Sequence, residues 1–390
     1  MKEVVMNRSL LALASGAFIL GASEFVMMGI LPQAANATAV SIPFAGNYIS
    51  SYAIGVCIGT LILVFGRRTP PRNLIVLFMI LAFIGNTMST FAPDATILII
   101  ARFISGLPHG AFFGTATLIA KILAKPGREA RDVSMMVTGQ TVANMVGVPA
   151  GTLLAATVSW RTAFAILALC AAMTVVLTLR WVPVVAPIRD AGLAGQFKFL
   201  STPGPWLVLF AVFTGNVGIF CWWSYVSPWL INVGGVSESV VPAYMMLAGF
   251  AMVLGGILGG KLSDTWLPAA TASLGQAIAG LGLLLVFLTP GSAILCAVLT
   301  FLIAYGLFFI SAPQQLLMAE AGEGGGELLG GATVQIAFNF GNAVGSKIGG
   351  AILPAVAMNY HYPALGGVPF AIIATCLLAA YSLLYERKGK

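Results

Sequence analysis

The segment 10-LLALASGAFILGASEFVMMGILP-32 decides the fold. Its 23 residues carry no charge except Glu24. A helix rises about 1.5 Å per residue, so this run is long enough to cross a hydrocarbon layer of about 30 Å. A cleaved secretion signal has a shorter apolar core and a small-residue cut site, so the segment reads as a retained first span. The remaining chain follows the same pattern. Of its 390 residues, 59% are hydrophobic and 8% are charged, with a mean hydropathy of +0.98. A soluble domain carries roughly 25% charged residues. There are too few charges here to cover a water-facing surface, so the solvent is lipid.

Further apolar runs fall near 44–65, 73–92, 96–122, 133–157, 162–183, 205–231, 240–262, 269–288, 292–318, 328–354 and 367–385. Membrane β-strands are about 10 residues long and alternate apolar with polar; these runs do neither. The expectation is an all-α membrane protein of twelve transmembrane helices. With twelve spans, both termini and every even-to-odd turn share one side. Sixteen of the nineteen Lys and Arg residues sit there, the others being Arg102, Arg161 and Lys347. The positive-inside rule assigns that side to the cytoplasm, in a bacterial-type inner membrane. It also accounts for the net charge of +7 without a nucleic-acid partner. The five cysteines lie apart in apolar segments, with no CxxC pair, and read as isolated thiols rather than disulfides or metal ligands.

The interval 184–204 holds Pro, Gly and charge near the chain midpoint and reads as a linker. It separates an N-terminal six-helix bundle (1–183) from a C-terminal one (205–390). An internal repeat supports the division. The segments 141-TVANMVGVPAG-151 and 339-NFGNAVGSKIG-349 share N-x-V-G-x-x-x-G at an offset of 198 residues. Pro32 and Pro228 close the first and seventh runs at an offset of 196. Two parallel repeats about an axis along the membrane normal form a transporter architecture, with the substrate site between the halves. The glycine ladders are also what close helix packing in lipid requires.

Several segments taken together resemble the major facilitator superfamily, in its drug:proton antiporter branch, and in particular the arabinose and sugar efflux permeases (AraJ-like). They are 23-SEFVMMGILP-32, 102-RFISGLPHGAFFG-114, 144-NMVGVPAGT-152, 159-SWRTAF-164 and 312-APQQLLM-318. The resemblance covers essentially the whole chain. It implies the major facilitator fold, two pseudo-symmetric six-helix bundles, a monomer, and export. Gly147, Pro149 and Gly151 in 147-GVPAG-151 are similar to the antiporter motif of the fifth helix, although Val148 separates its Gly and Pro. Pro149 removes a backbone donor and is expected to bend the helix. The family's gating turn after the second helix survives here only as 66-GRRTPPRN-73, with Arg67 and Arg68 but no acidic residue. A better echo is 259-GGKLSD-264, where Asp264 takes the acidic position or simply caps a helix.

Glu24 is the one acidic residue deep in a span. Intramembrane ionisable groups are costly and face a cavity or a partner. By helix rise, Glu24 lies about 12 Å and Arg102 about 9 Å from the outer ends of their spans. In the family both helices line the central cavity, so the two are expected to approach. Desolvation favours a neutral carboxyl and a nearby Arg favours the carboxylate. Such a group suits proton coupling; the alternative is a static Glu24–Arg102 pair that holds helices together. His109, two turns after Arg102, either relays protons, bonds substrate, or is a satisfied interhelical histidine.

Candidate substrate contacts are Asn216, Trp222 and Trp223 in 220-FCWWSYVSPW-229, where Trp229 falls at the expected aromatic belt. In the eleventh span Gln335, Asn339 and Asn342 form one polar stripe, with Lys347 beside it. The same residues serve equally as packing or interhelical glue. No phosphate-binding G-x-x-x-x-G-K-[ST] occurs, which excludes ATP drive by that motif. No nucleophile–base pair or metal cluster suggests an enzyme. The reading is a secondary transporter that uses the proton gradient, with no cofactor, to export a small drug-like or sugar-like molecule by alternating access. The alternatives are a proton-coupled importer of the same fold and a non-transporting receptor or scaffold.

Overall fold

The computed structural model describes residues 2–63, 69–125, 128–185, 198–322 and 327–386. All regular structure among them is helical, as expected where a bilayer offers the backbone no water. The helices form twelve rods: α1 (Lys2–Gly29), α2 (Ile42–Thr60), α3 (Pro71–Phe91), α4 (Ala95–Leu123), α5 (129–157), α6 (Trp160–Trp181), α7 (Pro203–Asn232), α8 (Val241–Thr265), α9 (Pro268–Leu288), α10 (Ala293–Ala321), α11 (Glu327–Ala355) and α12 (Tyr362–Glu386). Ser9 Oγ, near the start of α1, donates to the Trp181 carbonyl at the end of α6 (2.7 Å). The Ala269 amide at the start of α9 donates to Glu386 at the end of α12 (2.7 Å). Odd rods therefore begin, and even rods end, on one face, here called the terminal face. On the opposite face α2, α4, α6 and α10 start at Ser41, Asp94, Ser159 and Ser292, whose side chains accept backbone amides of the first turn.

Among the described residues nine rods are long and apolar enough by themselves to cross a membrane. The other three, α2, α5 and α11, all lie where the two bundles meet. Ser50 Oγ of α2 donates to the Ala343 carbonyl of α11 (3.1 Å), and Ser346 Oγ of α11 donates to the Gly46 carbonyl of α2 (3.0 Å). In the other pairing Gly249 of α8 lies against the Asn144 carbonyl of α5, with no room for a Cβ. Helices that face protein rather than lipid need not be apolar all round.

Packing repeats between the bundles more faithfully than the sequence does. Gly55 and Gly59 let α2 sit on the Phe103 and Leu107 carbonyls of α4; Gly255 and Gly259 do the same for α8 on the Tyr305 and Phe309 carbonyls of α10. A Cβ at any of the four would strike the facing backbone. Gly147 and Gly151 seat α5 on Phe18, Ala22 and Val26 of α1, while Gly345 and Gly349 seat α11 on the backbone of Val217 and Cys221 of α7.

The helix breaks are paired as well. The first span does not run to Pro32: α1 stops at Gly29, and Pro32 opens a separate short helix, Leu31–Ala37. Proline has no N–H to bond back along α1 but fits a helix start. At the matching place α7 breaks between Trp223 and Val226, ahead of Pro228. α4 breaks ahead of Pro108, and α10 ahead of Pro313. In α5 the distortion caused by Pro149 is a π-turn, Ala143–Gly147, in which the Val148 amide bonds to the Ala143 carbonyl. Trp229 is not in an aromatic belt. It is 1% exposed and meets Trp222 edge-on, with ring centroids 4.9 Å apart.

Candidate functional site

Two of these breaks bracket the site. Glu24 lies just before the end of α1, His109 just after the α4 break, and Arg102 one and a half turns before it. Glu24 is 5% exposed. Its Oε2 lies 3.6 Å from His109 Nε2, and its Oε1 accepts from Asn342 Nδ2 of α11 at 3.4 Å. One carboxyl group therefore touches both bundles.

Arg102 approaches as expected but makes no direct ion pair with Glu24, the arrangement that the static alternative required. It is fully buried. Its Nε donates to the Tyr48 carbonyl (3.4 Å) and its Nη1 to Ser23 Oγ (3.3 Å), which in turn donates to Asn86 Oδ1 (3.1 Å). The guanidinium sits over the rings of Tyr52 (4.4 Å to the centroid) and Phe164 (5.5 Å). One carbonyl, a hydroxyl and two aromatic faces hold the cation, and Nη2 has no hydrogen-bond partner. Arg102 and Glu24 communicate through the adjacent Ser23 and through Tyr52, rather than by contact.

Glu24 and His109 look into a cavity between the bundles. Its other polar walls are Gln140 of α5, Ser311, Gln314 and Gln315 of α10, and Gln335 of α11; Phe25, Phe308 and Phe338 supply aromatic surface. The glutamines belong to the halves of α5, α10 and α11 nearer the terminal face, so the cavity runs from mid-membrane toward that face. Toward the opposite face the bundles are zipped together by the Ser50 and Ser346 bonds, by Lys347 to Asn47, and by Gln33 Nε2 to Glu238 Oε2 (3.2 Å). A second, smaller cavity lies on that side, lined by Met28, Asn144, Trp223, Met245 and Met252, with Phe25 common to both.

The residues singled out from the sequence thus separate. Gln335 lines the main cavity and Asn342 reaches Glu24. Trp223 lines the smaller cavity, whereas Trp222 is packed inside the C-terminal half against Trp223 and Trp229. Asn216 and Asn339 are buried and donate within their own helices, to the Val212 carbonyl (2.8 Å) and the Gln335 carbonyl (3.0 Å). Lys347 is exposed and is taken up by Asn47 on the rim of the interface, outside the cavity. Asp264 is exposed in the last turn of α8, so it is no N-cap. Arg67 and Arg68 lie outside the described residues. Sequence reasoning missed Gln140, Ser23, Asn86 and Tyr52. The first three carried a signal, since each is polar within an apolar run. Tyr52 carried none.

A carboxyl group in a cavity between two repeats of six helices, sealed on one side and accessible from the other, defines a secondary transporter. The chain belongs to the Major Facilitator Superfamily, whose profile matches residues 13–333. It is 39% identical over 98% of its length to a protein of Escherichia coli (strain K12) described as "Putative transporter AraJ", covering 96% of that protein. It is 26% identical to the chloramphenicol resistance protein of Streptomyces lividans, over 96% of each chain. Among solved structures, a bacterial homologue of the human lysosomal transporter Spinster, inward-facing and unoccupied, superposes with a TM-score of 0.75 over 98% of both chains at 18% identity. The protein is a membrane transporter of small molecules, and not an enzyme.

Proposed function

We propose that this transporter exports a small organic molecule in exchange for protons, by alternating access. The observation that carries the reading is the placement of Glu24. Its carboxyl contacts His109 of the N-terminal half and Asn342 of the C-terminal half, so gain or loss of its proton alters contacts in both. A proton from outside neutralises Glu24; its release inside restores a charge that burial disfavours, unless water or a partner stabilises it. His109 passes that proton, Arg102 adjusts the local potential from its aromatic cage, and no cofactor takes part.

Substrate binds in the cavity beside Glu24, against Gln335 and Asn342. Amide donors and acceptors beside phenyl rings suit a drug-like or sugar-like molecule. The likeness of 147-GVPAG-151 to the antiporter motif supports export, as does the printed name of the chloramphenicol resistance relative. The moving bodies are residues 1–183 and 205–390, joined by 184–204. The basic bias of the terminal face supports placing it in the cytoplasm, in an inner membrane, with the chain acting as a monomer. Asp264, Arg67 and Arg68 are assigned to gating on that face.

Proteoliposomes with an internal pH dye test this, using chloramphenicol and L-arabinose as probes. Wild type is expected to move protons opposite to the probe, and Glu24→Gln to lose proton movement. Proton movement in the same direction as the probe would make the protein an importer. Probe flux without protons would remove Glu24 from the mechanism.

A further inference from the structure

One hydroxyl beside Glu24 has no part in the scheme above. Tyr52 of α2 is 1% exposed. Its Oη donates to the Leu20 carbonyl of α1 (3.1 Å) and lies 2.9 Å from His109 Nδ1. A phenol has one proton to donate. When that proton goes to the Leu20 carbonyl rather than to Nδ1, Oη meets His109 only as an acceptor, and Nδ1 carries the imidazole N–H. A neutral imidazole has a single N–H. Nε2 therefore presents a lone pair, and it faces Glu24 Oε2 at 3.6 Å.

The ring is fixed in this pose. It stands edge-on to Tyr52 (centroids 5.9 Å apart, 87°) and lies against Phe113 (5.2 Å). The titratable groups around it are Glu24 from α1 and Tyr52 from α2, with Arg102 of α4 itself stacked on the far partner; the cavity walls from α5, α10 and α11 that it faces are amides, a hydroxyl and apolar groups. Arg102 makes no hydrogen bond to the phenol oxygen: its Nε and Nη1 donate to Tyr48 and Ser23, and its Nη2 has no hydrogen-bond partner.

We propose that Tyr52 is a positioning residue for proton transfer: it locks His109 as the Nδ1–H tautomer and so makes Nε2 the acceptor for the proton of Glu24. The inference rests on the reading of Glu24 as the coupling carboxyl. In the step, the Oε2–H bond of Glu24 breaks and an Nε2–H bond forms, giving a carboxylate and an imidazolium. The imidazolium then gives the Nε2 proton to water in the cavity and returns to the same tautomer. The protons on Tyr52 and Nδ1 do not move. The other tautomer would aim an N–H at Glu24 and could not take the proton.

The chain has two histidines, which makes the tautomer measurable. His361 also uses Nδ1, 2.6 Å from the Val286 carbonyl, so it is replaced (His361→Gln). The reconstituted protein, labelled with ¹⁵N-histidine, is examined by solid-state NMR at a pH where imidazole is neutral. The expected spectrum is a protonated Nδ1 and a bare Nε2. Tyr52→Phe keeps the ring under Arg102 and removes only the hydroxyl; elution volume and melting temperature check that it folds. It is expected to shift the tautomer ratio about fivefold toward Nε2–H, the factor one neutral hydrogen bond of about 1 kcal/mol sets, and to lower coupled proton flux by a similar factor. A protonated Nε2 in the otherwise wild-type chain, or a spectrum unchanged in Tyr52→Phe, overturns the proposal. Coupled flux that survives Glu24→Gln overturns the coupling reading instead, and the spectrum does not depend on that result.

Discussion

The closure of the opposite face rests on a short hydrogen-bonded zipper, which gives a quantitative prediction. Ser50 Oγ and Ser346 Oγ each cross from one bundle to the other and donate to a helix carbonyl, at 3.1 and 3.0 Å. Both side chains are buried. When α2 and α11 part, each hydroxyl exchanges its carbonyl for water. A neutral hydrogen bond contributes about 1 kcal/mol net in such an exchange, so each Ser→Ala change should lower the ratio of closed to open opposite face about fivefold. The acceptors are helix carbonyls that keep their backbone amides, so little penalty remains after the donor is removed. If the two bonds add, Ser50→Ala with Ser346→Ala should change the ratio about thirtyfold. The assay is pulsed electron spin resonance between labels at Asn36 and Ser237, both exposed on that face, in a chain lacking its exposed Cys376. Longer distances should grow in the order wild type, single, double. A distance distribution unchanged in the double variant would refute the zipper as the element that holds this face shut.

The other expectations are simpler. Gly59→Ala and Gly259→Ala each drive a Cβ into a facing carbonyl, of Leu107 and Phe309; each should cost about 1–3 kcal/mol, read as a lower melting temperature in detergent, and equal effects would confirm that the two halves pack alike. Asn342→Ala removes the donor to Glu24 and should slow coupled transport about fivefold, the worth of one hydrogen bond of about 1 kcal/mol. Its repeat mate Asn144 has no partner on either side-chain atom, so Asn144→Ala should leave the melting temperature unchanged or raise it, because it removes an unsatisfied buried amide. Lys347→Gln keeps a donor for Asn47 on the interface rim; the KM for a transported probe should change less than about twofold, and a larger rise would return Lys347 to the substrate site.

How far the sequence reaches is clear from particular residues. Glu24 was legible because a carboxyl in a run of 23 otherwise uncharged residues is costly in lipid and must face a cavity or a partner. The repeat was legible through N-x-V-G-x-x-x-G, since its glycines answer to close helix contact in both halves. Arg102 was legible as a partner by depth alone, and depth gave the correct layer but not the correct contact. Rotation about the helix axis and the position of the Pro108 break decide where the guanidinium points. Asn216, Asn339 and Lys347 looked alike as polar residues in apolar helices, yet two bond within their own helices and one sits at the rim.

The sequence by itself determined twelve membrane-spanning helices, their common face for both ends of the chain, their two-fold repeat and one buried carboxyl group. All of these follow from local properties, since hydropathy, charge and glycine spacing act through lipid and the nearest helix. The tertiary structure alone decided which partners surround that carboxyl, which face is closed, and that the Tyr52 hydroxyl meets the imidazole beside it. These depend on contacts between residues far apart in the chain, such as Glu24 with Asn342 and Ser50 with Ala343. No periodicity within one helix encodes the orientation of another helix against it.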